Sequence, residues 1–219
     1  MRTIARTLTA ALVALPVAAA ASAPAVAAAP ERFSVSGESV DVQGTLLGDL
    51  DGLGGNVHLV GISAQETSGE GSMTWGSVDS YTCADGVTMP WDPETGELLC
   101  APAGWAELSG PLTVDTDKKL TAATVAGDLT ISTWTCDDEE CWSEELGTLA
   151  VDLLVSGTGG TLTERSSQTY QDPTTGERYR GTMRSTTRQG EVGGTLGGHP
   201  VIDAWASFGR FSFSSTYKL

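Results

Sequence analysis

Leu149, Val151, Leu153 and Val155 recur at every second position, the cleanest run of this kind in the chain. A period of two sends alternate side chains to opposite faces of an extended segment, so the run specifies a half-buried β-strand. Shorter stretches repeat the pattern. Val40 and Val42 alternate with Asp41 and Gln43, and Leu112 and Val114 alternate with Thr113 and Asp115. Residues 73–83 alternate and carry Trp75 and Tyr81, while Leu129 and Ile131 lead a strand towards Cys136. Residues 57–64 are apolar in both phases, as expected of a strand central in a sheet. Residues 205–219 place Trp205, Phe211, Phe213, Tyr217 and Leu219 on one face.

Turn chemistry separates these runs. Residues 52–55, Asp117-Lys118-Lys119 and Asp172-Pro173-Thr174-Thr175-Gly176 read as turns, and residues 157–160 read as the end of the Leu149 strand. The 27 glycines fit a chain of many short strands and tight turns. A turn around residues 101–108 is the single helical candidate. The expected fold is all-β, with about ten mostly antiparallel, sequentially connected strands forming a β-barrel or barrel-like sandwich.

The N-terminus has the anatomy of an export signal. Arg2 and Arg6 precede an apolar run over residues 8–21, and Ala25-Val26-Ala27 offers an A-x-A cleavage site. The apolar run is shorter than the roughly 20 residues of a membrane-spanning helix. Residues 1–27 are therefore expected to be a signal peptide and residues 28–219 a single β domain, secreted or held in the cell envelope, with no transmembrane segment. Taking Arg2 and Arg6 from the 12 basic residues leaves 10 against 28 acids, a net charge of −18. Such a charge favours solubility and disfavours nucleic acid as a partner.

Four cysteines in an exported chain imply two disulfides. An internal echo selects the pairing. Val78-Asp79-Ser80-Tyr81-Thr82-Cys83 resembles Ile131-Ser132-Thr133-Trp134-Thr135-Cys136, and similar strands follow Cys100 and Cys141. The pattern strand, Cys, loop, Cys, strand thus occurs twice, which joins Cys83 to Cys100 and Cys136 to Cys141. A second echo sets residues 92–97 beside residues 172–177, and Asp-Pro turn chemistry accounts for it.

No catalytic or metal-binding motif stands out. His58 shares a strand face with Val60 and Ile62 and reads as a satisfied core or edge histidine, and His199 lies in a turn. There is no nucleophile elbow and no zinc spacing. The acidic loop Asp137-Asp138-Glu139-Glu140 reads as a solvated hairpin tip rather than a calcium site, since consecutive acids point in alternating directions. Asp49-Leu50-Asp51-Gly52 begins like a calcium loop but has Val60 where the twelfth-position acid belongs. No cofactor and no metal are expected.

Two groups of residues point to binding instead. Arg178, Arg180, Arg184 and Arg188 share one face of a strand, with Arg165 on the strand before it. A turn at residues 172–175 would set Thr169 opposite Arg178, Ser167 opposite Arg180 and Arg165 opposite Thr182. The other face of that hairpin carries Glu164, Tyr170, Tyr179, Leu162 and Met183. Trp91, Trp105 and Trp142 lie in or beside the cysteine loops, where indole rings stack on sugars or anchor a partner. The function expected is a secreted, non-catalytic binding or interaction module, its site a polar interior or the loop end bearing tryptophans. Its partner would be a small ligand, a glycan or an envelope protein. A cell-envelope structural or interaction protein is the alternative, and a hydrolase a weaker one.

Overall fold

The computed structural model describes residues 31–218, apart from Asp51, Glu70, Asp138 and Glu139. The expected signal peptide, Leu219 and the centre of the acidic loop lie outside the described residues. Ten strands follow in order: β1 (Glu31–Leu47), β2 (Val57–Thr67), β3 (Gly71–Thr82), β4 (Ala101–Ser109), β5 (Leu112–Thr116), β6 (Ala122–Cys136), β7 (Cys141–Gln171), β8 (Arg178–Leu196), β9 (His199–Pro200) and β10 (Ile202–Lys218). No helix among the described residues is long and apolar enough to cross a membrane.

Every pairing is antiparallel, and the hydrogen bonds ring round through β1–β2–β3–β4–β6–β7–β8–β10 and back to β1. One phase of each strand faces inward. Val40 and Val42, Val60 and Ile62, Val78, Ala106 and Leu108 come from the first four strands. Val125, Leu129 and Ile131 of β6, the Leu149–Val155 run of β7 and Phe208 of β10 complete a continuous apolar core. The ring is filled by side chains, so the expected polar interior is not found there.

Local expectations fail where pairing overrides propensity. Residues 101–108 are strand, not helical turn, because Ala106 and Leu108 point into the core at period two while β3 supplies the hydrogen bonds. The Leu149 strand does not stop at residues 157–160 either. It runs on to Gln171, and the glycines instead form an irregularity that inserts two extra residues between Thr158↔Gln189 and Leu162↔Thr187. Two is an even number, so the pleat keeps its phase and odd-numbered residues of β7 stay on the inner side. Both expected disulfides form, Cys83–Cys100 and Cys136–Cys141, each closing its own hairpin. Two disulfides are consistent with an oxidising, extracellular location.

Two features position the surfaces described below. First, β2 leaves β1 beyond Gly37↔Thr67, and β6 leaves β7 beyond Ala122↔Ser156. The ends of β1, β10, β8 and β7 continue without them as a four-stranded arm. It is four strands wide over residues 178–184 of β8, seven residues at about 3.3 Å each or roughly 23 Å. Second, β5 pairs with β6 alone, and its other edge is capped by side chains. Val114 N–H donates to Glu66 Oε2 (3.0 Å) and Thr116 N–H to Glu38 Oε2 (2.7 Å). Arg210 donates to the Thr116 carbonyl (2.6 Å) and to Glu38 Oε1 (2.9 Å). An edge strand otherwise exposes unpaired backbone groups, and these carboxylates and the guanidinium satisfy them.

His58 is fully buried and structural, as its strand phase suggests. Its Nε2–H donates to the Gly48 carbonyl (2.8 Å), which leaves Nδ1 to accept from the Ser80 hydroxyl (2.8 Å). Burial is the main cause that lowers its pKa below 6.5. Below that pH the unfolded chain binds a proton that the folded protein resists, so stability falls as pH drops through the unfolded value towards the folded one. Unfolding free energies from urea titrations between pH 8 and pH 5 should decline with a slope of up to about 1.4 kcal/mol per pH unit, and the midpoints with them. His58→Gln should flatten that part of the profile, and a wild-type midpoint that is constant across it would contradict this account.

Candidate functional site

The outer face of β10, β1, β2, β3 and β4 is the most distinctive surface of the molecule. Core residues Val78 and Ser80 fix the inward phase of β3, so Trp75, Ser77 and Asp79 point out. Ala106 and Leu108 do the same for β4 and turn Trp105 and Glu107 outward, and Ala206 and Phe208 turn Trp205 outward. The register then runs Trp205–Gln43–Gly61–Ser77–Glu107 straight across five strands. The neighbouring row is Ser207–Asp41–Ser63–Trp75–Ser109.

Two open depressions lie on this face. One, of about 560 Å³, is bordered by Trp75, Trp105, Asp41, Ser63 and Glu107. The other, of about 380 Å³, is bordered by Trp91, Trp205, Asp79, Met89 and Asp203. They share Gln43, Gly61 and Ser77 as a common floor. A Cβ on Gly61 would meet nothing within 4 Å, so the absent side chain leaves the middle of the floor low and open. Trp91 reaches the face from the Cys83–Cys100 loop and packs edge-on against Tyr81, ring centroids 6.4 Å apart. Trp134 flanks it, its Nε1–H donating to Glu107 Oε2 at 2.9 Å. Ser63 donates to Asp41 within the floor.

All six tryptophans are between 38% and 53% exposed. Trp is ordinarily among the more buried residue types, so five rings gathered on one outer face are not there to build a core. Of the three tryptophans picked out near the cysteine loops, Trp91 and Trp105 join the face, with Trp105 in the middle of β4. Trp142 does not join it. It sits opposite Thr135, one residue out of phase with Trp134, and projects to the other side of its hairpin. Trp75, Trp205, Asp41, Asp79 and Glu107 were not assigned to a site from sequence. Their signal is phase: each occupies the position of its strand that alternates with a core residue.

The arm separates the other expected group into two faces. Arg165, Arg178, Arg180, Arg184 and Arg188 lie on the inner side, as alternation requires, joined by Arg32 from β1 and Arg210 from β10. Glu164, Tyr170 and Tyr179 lie on the outer side, where Tyr179 packs on Tyr217 at 6.0 Å between centroids. These two sets therefore cannot form one site. The register differs by two residues from the expected one: Gln171 faces Arg178, Thr169 faces Arg180 and Arg165 faces Arg184. The turn is wider than residues 172–175, because Asp172 N–H bonds to the Glu177 carbonyl and its Oδ1 collects the Thr174 and Thr175 amides. The turn at Asp92 repeats these bonds. Amide donation from Thr95 or Thr175, first among the causes, holds the Asp92 and Asp172 carboxyls below the usual range. Both turns are structural.

Neither histidine is arranged for catalysis among the described residues. His58 is engaged on both ring nitrogens, and His199 Nδ1 donates to the Leu47 carbonyl at 3.1 Å. No cluster of three His, Cys, Asp or Glu side chains that could hold a metal ion occurs among the described residues. The fold and the face together define an all-β scaffold that presents indole rings and carboxylates on an open outer surface. No protein-family model, curated protein or solved structure matches the chain.

Proposed function

We propose that the protein is an exported, non-catalytic binding module that captures a saccharide on the tryptophan-lined outer face. The observation that carries this reading is the gathering of five exposed indoles around a floor of Asp41, Gln43, Ser63, Ser77 and Asp79. A pyranose ring has apolar C–H faces and a rim of hydroxyls. Indole faces cover the former, and carboxylates and amides accept from the latter. The floor carries no cation, which disfavours an anionic ligand here. The two depressions are shallow and continuous, a shape suited to a chain of sugar units lying across the strands rather than a single enclosed unit. The signal-like N-terminus and the two disulfides support an extracellular setting.

The test is a panel of soluble glucan, xylan, mannan and chitin oligosaccharides, read by intrinsic tryptophan fluorescence and thermal shift. At least one should bind saturably. Trp75→Ala and Trp105→Ala should each weaken it about tenfold or more while leaving the melting temperature near wild type, because both rings are exposed. Failure of the whole panel, or wild-type affinity in the double variant, would refute the proposal.

A further inference from the structure

We propose that the inner face of the arm is a docking track for a linear polyanion of linked phosphate groups. This is independent of the saccharide reading and uses different residues. All seven arginines among residues 31–218 project from this one face, in a chain where acids outnumber bases 28 to 12. The cross-strand rows read Arg32–Thr216–Arg180–Thr169, then Ser34–Ser214–Thr182–Ser167, then Ser36–Ser212–Arg184–Arg165. Glu38, in the next row, is the one carboxylate that the four strands of the arm put on this face, and Arg210 takes it; Glu66 of β2, opposite Glu38, accepts from the Val114 amide. Arg188 is spent on the Leu120 and Thr158 carbonyls. Arg32, Arg165, Arg178, Arg180 and Arg184 make no ion pair among the described residues. Nearby acids thus do not neutralise them.

Arg165 and Arg184 stand directly opposite each other, an arrangement that repels unless an anion lies between them. The rest of the three rows is hydroxyl. Guanidinium forks with hydroxyl donors between them match the oxygens of phosphate groups. The spacing asks for a chain rather than a single ion: Arg178 to Arg184 covers six residues, roughly 20 Å at about 3.3 Å each. No aromatic side chain lies on these rows, so nucleobases would find nothing to stack on, and a backbone without bases fits better. The net negative charge of the body is little obstacle, since an arm of about 23 Å extends more than twice the ~8 Å screening length of physiological salt.

Binding of long-chain inorganic polyphosphate to the whole protein tests this, by titration at 50 and 200 mM NaCl. Binding is expected, with affinity falling on the order of 50-fold between the two salts if about four phosphate contacts form. Arg165→Gln/Arg184→Gln should weaken it at least tenfold. Trp75→Ala/Trp105→Ala should leave it unchanged, which keeps the fate of this proposal separate from that of the saccharide face. Any of four results would overturn it: no binding of polyphosphate; equal affinity for polyglutamate of matched length; equal competition by orthophosphate at the same phosphate concentration; or self-association of the wild type that the double arginine variant abolishes, which would assign the face to a second copy.

Discussion

Phe208→Ala is expected to lower the stability of the protein by about 3–5 kcal/mol, a shift of about 10 °C in melting temperature. Phe208 is 0% exposed and heads the fully buried side chains by volume. It stands where β1, β10 and β8 meet, with Val40 opposite on one side and Arg188 on the other. Its ring occupies space that Gly190 leaves vacant: a Cβ there would come within 2.6 Å of Val155 Cγ1 and 3.2 Å of the Phe208 ring. Surrounding strands cannot collapse into the cavity, because each is hydrogen-bonded on both sides around the ring. The cost should therefore sit in the upper part of the range for large-to-small changes. Urea denaturation with an unchanged m-value checks it, and a loss under 1 kcal/mol would mean that the ring relaxes far more than its pairing implies.

The second large effect is expected at Glu38. Glu38→Ala strands the buried Thr116 amide and removes the partner of Arg210, for a loss of about 3 kcal/mol. Glu38→Gln keeps an acceptor for the amide and should lose less than the alanine variant. Both should speed hydrogen exchange at Val114 and Thr116, because the capped edge of β5 depends on Glu38, Glu66 and Arg210 rather than on a neighbouring strand. Unchanged exchange at those two amides in Glu38→Ala would show that β5 is held by its pairing to β6 alone.

Much of the fold was legible in alternation. Val40, Leu112, Leu129 and the Leu149 run all turn their apolar phase inward, and one rule sufficed for each. Both disulfides were legible because each lies within a hairpin, so local repetition carried the information. The arginine face was legible for a related reason: a slip of two residues in register changes every partner and no face. Where the expectation of a helical turn at residues 101–108 failed, the pairing partner was distant in sequence and local preference had nothing to weigh against it.

What the order of residues settles by itself, then, is which side chains share a side of each strand, since that follows from backbone geometry within a few residues. What gathers on the outer side was decided only when the ring of pairings closed. Trp75 and Trp205 are 130 positions apart, yet they border one continuous surface because β1 and β2 lie between their strands. Arg32 and Arg165 reach a single basic track in the same way, and Glu38 meets Arg210 across 172 residues. Contacts of that range depend on the topology of the whole sheet, which no local pattern encodes.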